Sequence, residues 1–130
     1  MDFTSWAGIA YGIAAIGVVA FQVALALGAP WGAYAMGGAI PGPFPARLRV
    51  AAAVQAALLA LTIAIVASRA GLALATWSDA AGWLVWVVVA IAALALVLNS
   101  ISRSAGERRI WVPVTVVMLA CSLTVALTAA

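Results

Sequence analysis

Four apolar stretches, at roughly 6–27, 47–68, 80–102 and 107–128, decide what this 130-residue chain can fold into. Each is about 20 residues or more, the length a helix needs to cross the hydrocarbon core of a bilayer. Together they use nearly the whole chain. With 68% hydrophobic and 7% charged residues, too few polar side chains exist to coat a soluble domain of this size. The expected fold is therefore an all-α membrane protein, residues 1–130 forming one antiparallel four-transmembrane-helix bundle. The first stretch is expected to stay in the mature protein. A cleavable signal wants a basic n-region, and no basic residue precedes Arg47.

The residue types that are missing narrow the chemistry. The chain has no histidine, no lysine and one cysteine, Cys121. Histidine-ligated haem or metal, a Schiff-base retinal and an intrachain disulfide are excluded. No nucleophile–base pair, metal-ligand cluster or pair of carboxylates stands out, and Ser102 and Cys121 have no histidine to activate them. The expectation is a non-enzymatic protein with no cofactor and no nucleic-acid partner, living in the lipid bilayer.

Charge distribution orients the spans. Arg47, Arg49, Arg103, Arg108 and Arg109 flank one side of the four stretches, and Arg69 alone flanks the other. Five against one is a strong positive-inside bias. The loop 28–46 and the turn 103–107 are expected in the cytoplasm and both termini outside, in a multi-pass protein of the bacterial inner membrane. Such a bias also argues against a dual-topology dimer. Trp6, Trp77, Trp83 and Trp86 gather near the outer ends and Trp31 and Trp111 near the inner ones, as interfacial indoles do.

The segment between the first two spans, GAPWGAYAMGGAIPGPFPARLR from Gly28 to Arg49, carries five glycines and four prolines, too many for a helix. It is also uncharged from Gly28 to Ala46 and too apolar for a solvated loop. We expect it to fold back as an interfacial or shallow re-entrant lid against the turn around Arg103, with Trp31 and Phe44 largely buried, by protein or by headgroups. Arg47, Arg49 and Arg103 would ring it. Glycine N–H groups, those of Gly37 and Gly38 among them, could face an anion, and lipid phosphate is the nearest one. Arg47, Arg49, Arg103, Arg108 and Arg109 are thus candidate headgroup ligands; the alternative is that they snorkel and set topology.

Other local signals concern helix ends and seams. Gly8 and Gly12 form a small-xxx-small pair that admits a close neighbour. Ser104-Ala105-Gly106-Glu107 matches a capping box, which accounts for Glu107. Pro113 would then kink the fourth helix. Ser78 with Asp79 suits an N-cap, and Gly71 a residue just past a helix end.

Inside the membrane, Gln22, Gln55, Asn99, Ser100 and Thr115 fall in one layer, roughly 5–12 Å below the arginine-side interface at 1.5 Å per residue. Two readings are open. The amides can hydrogen-bond across helices, contributing about 0.6 kcal/mol each and at most about 2. Or the layer is a cytoplasm-facing polar pocket for a ligand.

Two segments resemble a known group. Leu27-Gly28-Ala29-Pro30-Trp31-Gly32 with Gly37-Gly38, and Asn99-Ser100-Ile101-Ser102-Arg103-Ser104 followed by Glu107-Arg108, Trp111 and Pro113, resemble a family of small bacterial four-helix integral membrane proteins of uncharacterised activity. The resemblance implies the four-helix fold and carries over no catalytic residue. The intramembrane glutamate of small multidrug exporters is missing, and the chain does not match a fluoride channel. The functional expectation is a binding or accessory subunit for lipid or a membrane partner. The alternative is a small transporter or channel, a homo-oligomer whose path uses the polar layer.

Overall fold

The helix ends are set by local chemistry that also decides where the chain turns. The structure, a computed structural model, describes residues 2–129. Helix α1 runs Phe3–Ala26, α2 Ala46–Arg69, α3 Ser78–Ser100 and α4 Ala105–Thr128, with no strand among the described residues. Each helix has 23 or 24 residues, about 35 Å at 1.5 Å per residue, and all four are apolar enough to cross a membrane. The chain is a multi-pass, all-α membrane protein.

Helix α1 begins at Phe3, earlier than expected, because the Asp2 carboxylate accepts from the Ser5 N–H at 2.8 Å and caps it. That hydrogen bond holds the Asp2 carboxyl below its ordinary value. At the end of α2, Gly71 (φ 77°) turns the chain: its N–H donates to Ser68 O at 3.1 Å, and Leu72 N–H donates to Ala67 O at 2.9 Å. The expected Ser78–Asp79 cap of α3 is not formed. A 3-10 turn over Ala75–Trp77 runs straight into the helix, Ser78 is already its first residue, and no side chain caps it. Helix α4 continues through Pro113 without a break.

The helices pack as a ring, α1 on α2, α2 on α3, α3 on α4 and α4 on α1. Small residues set the closest approach. An ideal Cβ built on Gly8 would lie 2.8 Å from the Ala70 Cβ, whereas Gly12 has open space around it. Tyr11, Ala15, Val66, Val85, Val88 and Val125 fill the core. One buried polar pair crosses it: the Tyr11 hydroxyl donates to Thr62 Oγ1 at 2.9 Å, and Thr62 donates to Leu59 O at 2.7 Å. Both hydroxyls are satisfied, so the pair costs little and ties α1 to α2. Of the four seams, α2 against α3 is the loosest.

Candidate functional site

At the arginine-rich end, the segment between α1 and α2 is folded onto the α3–α4 turn. Its path follows from two 3-10 turns, Gly32–Tyr34 and Met36–Gly38, separated by extended Ala35. Gly32 lets the segment close on itself. Its N–H donates to Gly42 O at 3.0 Å, and an added Cβ would sit 1.9 Å from Ile40 O, which no side chain could tolerate. Phe44 and Ala35 pack with Leu25 of α1 and Ala52 of α2 in a small core of their own. The Arg49 guanidinium caps the end of α1, donating from Nε to Ala26 O at 2.8 Å.

Three contacts fasten the segment to α4 and its N-cap, Ser104. Trp111 Nε1 donates to Tyr34 O at 2.9 Å, and the Ser104 hydroxyl donates to Ala33 O at 2.7 Å. The Gly37 N–H donates to Glu107 Oε2 at 2.8 Å. Phe21 of α1 stacks on Trp31 with centroids 6.3 Å apart and meets Trp111 at 4.7 Å. Phe44 is 6% exposed, so the protein itself buries it, whereas Trp31 is 45% exposed on the protein surface at the arginine-rich end.

Glu107 departs most from its expected role. Half of the capping box exists: Ser104 Oγ accepts the Glu107 N–H at 3.1 Å. The reciprocal half does not, because Ser102 Oγ takes the Ser104 N–H at 3.1 Å. The freed Glu107 carboxylate turns inward, only 8% exposed, and Oε2 accepts from both Gly37 N–H and the Ser102 hydroxyl, the latter at 3.0 Å. Ser102 in turn is held by Arg108, whose guanidinium donates to its carbonyl. The spacing Ser102-x-Ser104-x-x-Glu107 carries the signal: two serines compete for one helix start, and the carboxylate is left over. The Gly37 N–H therefore meets an internal carboxylate and the Gly38 N–H donates to Ala35 O, so neither is offered to an external anion as expected.

Glu107 lines a half-open cavity of about 920 Å³. The volume is within the range of small-molecule sites, roughly 300–1,000 Å³. Its back wall is α1 and α4, through Phe21, Trp111 and buried Thr115 and Met118. Its lips are exposed side chains, Leu58 and Leu61 on α2 and Ile91, Leu94 and Leu98 on α3. The cavity is thus a groove that opens sideways along the loose α2–α3 seam. From Leu84 to Asn99 it follows α3 for about 22 Å, at 1.5 Å per residue.

Polar groups collect at one end of this groove. Gln22, Gln55, Asn99 and Thr115 all line it, together with Glu107 and Arg103. Ser100 does not: it is exposed on the far side of α3, and its hydroxyl donates to Leu96 O at 2.6 Å. The Thr115 hydroxyl is likewise turned back to its own helix, to Trp111 O at 2.7 Å. Asn99 Nδ2 donates to Ala95 O at 2.7 Å, and its Oδ1 accepts no hydrogen bond among the described residues. No hydrogen bond joins the amides of Gln22, Gln55 and Asn99 to one another among the described residues, so cross-helix amide pairing does not account for the layer. Arg47 and Arg109 are exposed at the same end but do not line the groove.

No family model, curated protein or solved structure matches the chain.

Proposed function

We propose that this is a non-enzymatic protein of the bacterial inner membrane that holds a membrane lipid in the α2–α3 groove, acting as a binding or accessory subunit. The observation that carries this reading is the groove itself: apolar along its length but for Thr62, whose hydroxyl is taken up by Tyr11 and Leu59 O, open to the side where lipid tails would lie, and otherwise polar at the arginine-rich end. A groove of about 22 Å exceeds one leaflet's share of a hydrocarbon core about 30 Å thick, so a whole acyl chain fits along it. The positive-inside bias puts the polar end, and hence the headgroup, at the cytoplasmic face, with both termini outside. The two segments that resemble small bacterial four-helix membrane proteins are the two that meet at this end.

The test is native mass spectrometry of the protein released from gentle detergent. One or two tightly retained lipids are expected, lost when the lips are filled by Leu58→Trp with Leu94→Trp. Lipid-free protein, or retention indifferent to the filled groove, contradicts the reading. A second reading, a small oligomeric transporter or channel, draws on one observation: a carboxylate and three amides that do not bond to one another share the cavity. Flux of a solute across proteoliposomes that requires Glu107 and Gln55 would favour it.

A further inference from the structure

The polar end of the groove carries both signs of charge. The Glu107 carboxylate is buried, and its partners, the Gly37 N–H and the Ser102 hydroxyl, are both on Oε2 and neither is a cation. Oε1 accepts no hydrogen bond among the described residues and is not fully buried, and Glu107 lines the cavity. Arg103 lines the same cavity, is exposed, and makes no hydrogen bond among the described residues. A carboxylate and a guanidinium that no hydrogen bond or ion pair joins among the described residues therefore line the same apolar groove.

From this we infer that the groove selects a zwitterionic lipid with a primary ammonium in its headgroup, the chemistry of phosphatidylethanolamine, whose ammonium meets Glu107 while its phosphate meets Arg103. The inference rests on the lipid-binding reading above and names the class of lipid. A purely anionic headgroup would bring its charge beside Glu107, and a simple cation would bring its charge beside Arg103; a headgroup with both charges satisfies both. The primary amine follows from the acceptors. An ammonium has three N–H donors, and Glu107 Oε1 and Asn99 Oδ1 are acceptors that take no hydrogen bond among the described residues. A trimethylammonium headgroup has no N–H to give them. The hydrogen bonds at Oε2 fix the carboxylate's orientation, so the loop segment that supplies Gly37 also positions the selecting group.

The test uses the full-length protein in detergent, incubated with an equimolar mixture of phosphatidylethanolamine, phosphatidylcholine and phosphatidylglycerol of identical chains, with bound lipid read by native mass spectrometry. The wild type is expected to enrich phosphatidylethanolamine about tenfold over the other two, the worth of a charge-assisted hydrogen bond. Glu107→Gln keeps an acceptor for Gly37 and Ser102 but loses the charge. It is expected to retain lipid with phosphatidylethanolamine and phosphatidylcholine held alike, and Arg103→Gln to weaken both. A wild type that holds all three equally, prefers phosphatidylglycerol or phosphatidylcholine, or keeps its preference as Glu107→Gln overturns the inference while leaving lipid binding intact. A wild type that holds none of the three overturns the lipid reading itself.

Discussion

At Glu107 the backbone and the side chain serve different neighbours: the N–H caps α4 through Ser104, while the carboxylate reaches Gly37 in the loop segment. Removing the carboxylate leaves the Gly37 N–H and Ser102 hydroxyl without their acceptor, so Glu107→Ala should cost about 1–3 kcal/mol, and Glu107→Gln less. Thermal melts in detergent, followed by tryptophan fluorescence, would show equal losses for the two if the contact were idle. Gly32→Ala should be worse than either, because its Cβ meets backbone at Ile40 and Gly42 and the segment must open. Overpacking costs typically about 1–3 kcal/mol and occasionally more; a clash this close with backbone belongs above that range and should also open the segment around Phe44 to protease. Trp31→Ala should lose only the stacked pair with Phe21, about 0.5–1.5 kcal/mol beyond its lost area. The capping motif at Ser104–Glu107 was legible in the sequence. The inward carboxylate was not, because it depends on Ser102 taking the Ser104 N–H, a choice between two serines that spacing alone leaves open.

Among the elements, the helices were the legible part, since length and apolarity define a membrane-crossing helix without tertiary information. The segment before α2 was legible as a broken, greasy element, too long for the simple connections of about 2–8 residues and too apolar for disorder. That it would fold on the α3–α4 turn was an expectation from charge and hydropathy; that α4 and its N-cap hold it through Trp111, Ser104 and Glu107 needed the structure. The α3 start was misread because Ser78 and Asp79 have the right chemistry for a cap, yet the preceding 3-10 turn supplies a continuous entry. Gly8 and Gly12 looked equivalent, but only Gly8 is at a seam. Gly8→Ala should push α1 off the end of α2 and destabilise by about 1–3 kcal/mol. Gly12→Ala should be neutral or stabilising by up to about 1 kcal/mol, since alanine favours helix over glycine. Equal effects of the two, measured by unfolding in detergent, would mean that α1 packs elsewhere.

For the whole molecule, the ring of four helices leaves one seam loose, and the account turns on what lies in it. The groove could not have been read from sequence: helices that are apolar on nearly every face carry no periodic mark of which face meets a neighbour and which meets lipid. The layer of Gln22, Gln55, Asn99 and Thr115 was visible as depth along each helix, and Ser100 shared that depth while pointing away. Orientation is a separate claim. Reporters fused at both termini should register the outer side, and a cysteine in place of Ala39 should be labelled only from the cytoplasm; the reverse pattern would invert the headgroup's leaflet. The most direct test of the groove is photo-crosslinking in proteoliposomes containing a phospholipid with a diazirine on its acyl chain, with adducts mapped by peptide mass spectrometry. A chain seated between α2 and α3 should label Leu61 and Leu94 at the lips and also Thr62, Val88 and Met118, whose burial keeps them from bulk lipid. Adducts spread evenly around the lipid-facing belt, as strong at Ile13 and Ile16 of α1 as at the groove and absent from its buried wall, would contradict it.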